Sequence, residues 1–504
     1  MPTETLSARI FEHPQATTDA TLLSWGDREY QRGELLQAAR TVAGGLTGYG
    51  IQKGERVAVG LRNSPELIEA VLGVLYAGAV LVPLNPAYTA DEAAYVVRDS
   101  GAALVYTHPE QAALLRAADG IEERRVQTRL PIGCDLPESA QSVAPDDPAL
   151  LVYTSGTTAK PKGATLSHRA LVSNLETVSR AWRWTAADRL LLTLPCFHLH
   201  GLALGILGSL LVGSQIVLRE RFVAEGVPQD IERHRITLFF GVPTMYNRLV
   251  GLPEETLRAH DLSSMRVWVS GSAPLTAATF SRFEQRFGHQ ILERFGMSEG
   301  GFMIAAPYEG PRRAGVVGRP LPGIEVRIGD VDAADRGELC EVAEGEQGEL
   351  LIRGPNLFSG YWKRPEETAR AFVGEFFRSG DLAVREADGM IRITGRRSVD
   401  IVKTRGFKVS AVEIESHLQS HPGVCEVAVV GIPDADQGER VVAAVTRVAD
   451  SAVSADELRQ FARAGLAPHK VPSEIVFVDE IPRTGPGKFS KRLLIERLSR
   501  LPDA

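Results

Sequence analysis

The stretch Tyr153-Thr154-Ser155-Gly156-Thr157-Thr158-Ala159-Lys160-Pro161-Lys162-Gly163 decides how this chain is read. It follows the apolar run Ala149-Leu150-Leu151-Val152, which reads as a strand. A strand that empties into hydroxyls, glycines and lysines suits a nucleotide triphosphate. Glycine lets the backbone approach phosphate oxygens, exposed N–H and hydroxyl groups donate hydrogen bonds, and lysine adds charge. The order of glycines and lysine differs from G-x-x-x-x-G-K-[ST], so the stretch is not a P-loop. By itself it also fits a polar surface loop.

Outward from it, apolar runs alternate with helical patterns through the first four hundred residues. Residues 56–61 read as a strand, 64–78 as a helix with Glu66 placed early, and 79–84 as the next strand. Strand, helix, strand at this spacing predicts parallel pairing with right-handed crossovers. Further units start near Leu190 and near Val267-Trp268-Val269-Ser270, and residues 348–354 open a strand-rich region like a small barrel. Near Val399-Asp400 the character changes. Residues 424–431, 440–448 and 475–478 read as strands and 456–464 as a helix that Gly465 stops, enough for a small α+β domain.

A chain of 504 residues suggests two or more domains. With 44% hydrophobic and 24% charged residues it has the composition of a soluble globular protein. A net charge of -7 offers no basic footprint, which argues against nucleic acid and anionic membrane as partners. Cys134, Cys196, Cys340 and Cys425 are scattered without a CxxC pair, so neither a zinc site nor a disulfide framework is expected. Together with an N-terminal stretch that lacks secretory features, this makes cytoplasm the expected compartment. The most membrane-like run, 202–218, contains Gly, Ser and Gln, and its length favours a buried helix running into a strand.

The opening stretch resembles the phosphate loop of the adenylate-forming superfamily, which includes acyl-CoA synthetases, adenylation domains and luciferases. Further pieces follow in that family's order. They are Arg294-Phe295-Gly296-Met297-Ser298-Glu299, Phe358-Ser359-Gly360-Tyr361-Trp362, Ser379-Gly380-Asp381, Gly395-Arg396-Arg397 and Pro482-Arg483-Thr484-Gly485-Pro486-Gly487-Lys488. The likeness runs from about Thr21 to about Arg497. It implies an α/β fold: a large N-terminal domain of layered parallel sheets with helices plus a small β-barrel, over 1–398. A small, mobile α+β lid domain, 399–504, is expected to follow and to swing about Val399-Asp400.

The resemblance also implies a two-step reaction. A carboxylate attacks the α-phosphate of ATP, giving an acyl-adenylate and pyrophosphate; a nucleophile, usually the thiol of coenzyme A, then displaces AMP. An anion meets a polyanion in the first step, so the site must supply cations and Mg²⁺. Lys488 matches the mobile catalytic lysine and Glu299 the Mg²⁺-binding carboxylate. Thr154 is expected on phosphate or metal, with Ser155, Gly156, Thr157, Thr158, Lys162 and Ser298 completing the phosphate side. Gly271-Ser272-Ala273 would pack against adenine and Asp381 would hold the ribose. The Gly-Arg spelling selects Arg396 as its helper, whereas counting back from Lys403 selects Arg397. Ala159 stands where the family usually has glycine; if φ is positive there, it costs about 1–2 kcal/mol.

Phe197-His198-Leu199-His200-Gly201 falls where the family places its acid pocket. His198 occupies the position of the amine-pairing aspartate of amino-acid-activating relatives, which disfavours an α-amino acid; it is a candidate catalytic residue, and His200 a substrate-binding one. Arg294 with F-H-x-H-G resembles malonyl-CoA synthetases. A dicarboxylate keeps one anionic carboxylate while the other is activated, and burying that charge requires a bidentate cation. Pairing of Arg294 with Glu293 is the rival reading. Gly300 and Gly301 leave pocket width open. Arg405, Gly406 and Phe407 resemble the lining of the pantetheine tunnel. The expected enzyme is therefore an AMP-forming acid–CoA ligase acting on malonate or a substituted malonate. The alternatives are an aromatic or medium-chain acid, nitrite passed to an aryl amine, and a non-catalytic binding protein of the same fold.

Overall fold

The computed structural model describes residues 4–12, 18–134, 143–154, 161–397, 400–404, 407–434, 438–466, 468–483 and 489–499. Ser155, Gly156, Thr157, Thr158, Ala159, Val399, Arg405, Gly406 and Lys488 lie outside the described residues.

The first strand–helix–strand unit forms as its sequence predicts. Strands Arg56–Gly60 and Val80–Pro83 pair in parallel, Val57 opposite Leu81. Between them, Ser64 accepts a hydrogen bond from Leu67 N and Pro65 starts the helix Pro65–Tyr76. Leu67, Ile68, Val71 and Leu75 share its buried side. Helix Ala90–Ser100 has a full capping box from Thr89 and Glu92 and ends at Gly101 in the left-handed region (φ 63°).

Among the described residues these strands belong to a seven-stranded sheet. Its spatial order is 360–361, 162–167, 148–154, 80–83, 56–60, 104–107, 126–127. Strand Pro148–Thr154 pairs antiparallel with Lys162–Ser167, from Pro148–Ser167 to Thr154–Lys162. The opening stretch thus joins the two arms of a hairpin.

A fourteen-stranded sheet carries the remaining N-terminal strands. Strands Arg189–Leu192, Leu238–Gly241, Val267–Ser270 and Leu292–Met297 are neighbours in parallel. Their carboxyl ends therefore open on one side, where ligands bind in open α/β sheets. The sheet then continues through antiparallel strands Gly301–Ala305, Val316–Pro320, Ile391–Arg396, Phe376–Arg385 and Gln347–Arg353, the strand-rich region expected from residue 348 onward. One apolar core underlies both sheets. The run 202–218 is buried as predicted: a π-helical segment His200–Gly208, a short helix Ser209–Val212 and strand Gln215–Leu218. Among the described residues no helix is long and apolar enough to cross a membrane.

Beyond Asp400 a five-stranded sheet with helices Ala411–Gln419, Ala455–Gly465 and Lys491–Leu498 has its own apolar clusters. The helix expected over 456–464 with Gly465 as its stop covers Ala455–Gly465, and Leu466 after it is extended. Gly465 serves close packing: a Cβ there would lie 2.1 Å from Cε1 of His417 on the neighbouring helix.

Candidate active site

His200, Ser272 and Arg294 meet at the carboxyl ends of the parallel strands. Arg294 lies on strand Leu292–Met297, Ser272 two residues past Ser270, and His200 at the start of the π-helical segment. Arg294 is 5% exposed; its Nη2 donates to Ser272 Oγ at 3.3 Å and its Cζ lies 4.7 Å from the centre of the Phe302 ring. Among the described residues its Nε has no partner. Gly271 makes this placement possible, because a Cβ there would stand 2.5 Å from Arg294 Cζ. Ser272 holds φ at 71°, a strained value for a non-glycine residue that aims its hydroxyl between Arg294 and His200 Nδ1 at 3.5 Å. His200 Nε2 is buried without a partner among the described residues, and its ring lies against Phe240 and Phe302. Burial, then the charge of Arg294, keep this imidazole neutral well below its ordinary range. Burial pushes Arg294 down to about 9, so it is cationic at neutral pH.

The rival pairing with Glu293 does not form. Adjacent strand residues face opposite sides, and Glu293 accepts instead from Gly315 N at 2.8 Å and from Leu275 N. Burial pushes its carboxyl up to about 8. The folded chain therefore binds a proton that the unfolded chain has released, and stability falls as pH rises between 4.5 and about 8. Glu293→Gln keeps an acceptor for both N–H groups and removes the charge. It is expected to leave urea stability unchanged near pH 5 and to raise it by about 1–3 kcal/mol near pH 9; equal effects at both values would contradict this.

Gly300 and Gly301 make room for the chain itself. A Cβ at Gly300 would lie 2.2 Å from Met303 Cε, and one at Gly301, where φ is 68°, 2.4 Å from Asn174 Oδ1. Asn174 in turn exchanges two hydrogen bonds with the backbone of Phe302, fixing the ring under Arg294. His198 is exposed beside Phe197, ring centroids 4.4 Å apart.

A second cluster lies where the two sheets meet. Glu299 is 6% exposed and its Oε1 accepts from the Tyr361 hydroxyl at 2.9 Å, while its carbonyl accepts from Phe358 N. Burial holds its carboxyl above the usual range, opposed by Tyr361 and by the charges of Arg396 and Lys162. Lys162 pairs with Glu367 at 2.6 Å and lies over the Tyr361 ring. Asp381 stands directly across from Arg396, Oδ1 to Nε 3.6 Å. Arg397 is held away by both oxygens of Asp335 at 2.8 and 2.6 Å. In this structure, then, Arg396 is the arginine beside Asp381. Thr154 and Ser298 are half-buried at the ends of their strands, Ala273 follows Ser272, and Phe407 opens strand Phe407–Ser410.

No group of three or more metal-ligating side chains occurs among the described residues. One buried carboxylate, Glu299, suits Mg²⁺, which takes one or two carboxylates and completes its shell with phosphates and water. Sequence reasoning missed Tyr361, Phe302, Asn174 and Asp335, which act through contacts distant in the chain. Tyr361 stood inside a recognised motif, and that was its only signal.

A family model described as AMP-binding enzyme matches residues 10–362, and one described as AMP-binding enzyme C-terminal domain matches 413–488. The chain is 36% identical over 480 residues to the mitochondrial malonate–CoA ligase ACSF3 of Mus musculus, covering 88% of this chain and 82% of that one. It is 35% identical over 474 residues to a feruloyl-CoA synthase of Streptomyces sp, covering 94% of each. The crystal structure of ATP-bound MatB from Rhodopseudomonas palustris superposes with a TM-score of 0.91 at 34% identity, over 99% of both chains.

Proposed function

The chain belongs to the AMP-binding enzyme family, and on that footing we propose that it is an ATP-dependent, AMP-forming ligase joining malonate, or a small substituted malonate, to coenzyme A. Support for the acid comes from Arg294: a buried guanidinium with an unpaired Nε and no carboxylate partner among the described residues. Such a charge is costly unless a ligand neutralises it. The distal carboxylate of malonate does so bidentately, with His200 and Ser272 at its sides. An aromatic or medium-chain monocarboxylate would commit its one carboxylate to the α-phosphorus and leave the charge unanswered. The names of the ligase and synthetase relatives agree with the reaction class.

In the first step a carboxylate oxygen of the acid bonds to the α-phosphorus of ATP, and the bond from that phosphorus to the bridging oxygen breaks to release pyrophosphate. Arg294 holds the spectator carboxylate so that the other points toward the nucleotide. Asp381, with Arg396 beside it, accepts the ribose hydroxyls, and Thr154, Lys162 and Ser298 border the phosphates with the 155–158 segment. Lys488 supplies positive charge to the reacting carboxylate and phosphate oxygens. Glu299 and Thr154 are the residues that would hold Mg²⁺, which would supply neutralisation of phosphate charge. In the second step the coenzyme A sulfur attacks the acyl carbon, its proton leaves, and AMP departs. Arg405, Gly406 and Phe407 of the 399–504 domain are the candidates for contact with pantetheine, and His198 is a candidate for the proton.

Pyrophosphate release tests this over malonate, methylmalonate, acetate, octanoate, an aryl acid, and nitrite with an aryl amine, each with and without coenzyme A. Malonate or methylmalonate should turn over and yield a thioester only with coenzyme A. Turnover confined to octanoate, the aryl acid or nitrite would remove the dicarboxylate reading and leave adenylation standing.

A further inference from the structure

Both ends of the 155–160 segment are tied to one helix. At its leading end, Tyr153 donates from its hydroxyl to Asp99 Oδ2 at 2.7 Å. At its trailing end, the Pro161 carbonyl accepts from the Tyr95 hydroxyl at 2.8 Å. Tyr95 and Asp99 lie four residues apart on helix Ala90–Ser100, hence on the same side of it. Arg364 closes the arrangement, donating to Asp99 Oδ1 at 2.7 Å and to the Tyr95 hydroxyl at 3.2 Å. The two phenol rings meet edge to face with centroids 6.4 Å apart. Arg364 also follows Tyr361 and Trp362, whose segment is strung along the hairpin by Trp362 N to Gly163 O at 2.8 Å. One carboxylate, Asp99, therefore serves both arms of the hairpin and the segment that supports Glu299.

We propose that Asp99, acting with Tyr95 and Arg364, is a positioning residue for ATP: it sets the spacing and direction of the two hairpin arms from which the phosphate-binding segment is hung. Arg364 also lies 3.9 Å from Glu367, the partner of Lys162 on the trailing arm, so the arrangement is expected to act on the phosphate side of the nucleotide rather than on the acid pocket. The inference rests on the reading of 155–160 as the triphosphate segment, and it does not depend on which acid is activated.

Calorimetric titration with MgATP and, separately, AMP tests it on the full-length wild type, Asp99→Asn and Tyr95→Phe. Asp146→Asn is the control, a surface pair with Arg169 at the opposite end of the same hairpin. Hydrogen bonds to charged groups of this kind predict an increase in the ATP Kd of about tenfold for Asp99→Asn and about threefold for Tyr95→Phe. AMP affinity should stay within about twofold, because AMP lacks the outer phosphates. Unchanged ATP affinity in both folded variants would overturn the proposal. So would equal weakening of ATP and AMP, which marks a general structural role. Wild-type protein that does not bind ATP at all would reject the reading of the segment itself, and the proposal with it.

Discussion

Replacing Arg294 with alanine is expected to lower kcat/KM for malonate by about 10²–10³-fold while leaving the ligand-free protein as stable as before or more stable. The two effects have opposite signs for one reason. The guanidinium is buried over Phe302 with one hydrogen bond to Ser272 and, among the described residues, an unpaired Nε. Its removal relieves an uncompensated burial of charge. On the proposed reading, the same charge would answer the carboxylate that malonate brings, which would otherwise be buried alone. Arg294→Lys should recover little, because an ammonium cannot span both oxygens. Kinetics with malonate and urea unfolding without it, run on the same variant, read the two signs. Loss of stability matching the loss of activity would show that Arg294 is structural.

Lys491→Met is expected to destabilise the protein by about 3–5 kcal/mol near pH 7.5, with a smaller effect near pH 5. Lys491 is 9% exposed and its Nζ lies 2.5 Å from Asp400 and 2.6 Å from Glu415. Burial pushes this ammonium down, but Glu415 and Asp400 outweigh burial and hold it above its ordinary value. The stabilisation it gives is therefore complete below its unfolded value of 10.5 and is lost only as pH rises beyond that. Methionine fills the space and leaves two carboxylates facing each other. Glu415, already held up by burial, then rises further, so the folded variant takes up a proton and regains stability as pH falls. Asp400 also accepts from Arg396 N at 2.9 Å, so the damage reaches the strand that faces Asp381. Urea unfolding at the two pH values checks this. A loss below about 1 kcal/mol at both would mean that the ion cluster contributes little net stability.

The parts of the fold that were legible in the sequence are those set by local chemistry. Ser64-Pro65, the apolar spacing after it and the run 79–84 determine a capped helix between parallel strands without help from the rest of the chain. Gly465 ends its helix where the sequence placed the stop, but a glycine permits both a left-handed turn and a close approach, and only the neighbouring helix with His417 shows that the close approach applies here. Gly300 and Gly301 show the same limit: the missing side chains are answered by Met303 and Asn174. Motif spelling found Arg294, Glu299 and Asp381. Choosing between Arg396 and Arg397 required the register that sets Asp381 opposite Arg396, and the presence of Asp335 to occupy Arg397. Asp99 and Arg364 are 265 residues apart, and no local pattern connects them. Lys491 gave a faint signal, three residues before Leu494 and seven before Leu498, on the apolar stripe of its helix.

The most direct test of dicarboxylate recognition compares malonate with its monomethyl ester, which keeps a carboxylate to activate and lacks the second charge. Wild-type protein should prefer malonate in ATP- and coenzyme A-dependent thioester formation by about 10²-fold or more in kcat/KM, and Arg294→Ala should lose that preference. Equal use of the two acids by the wild type, or a preference that survives in Arg294→Ala, would contradict the assignment of Arg294 to the second carboxylate.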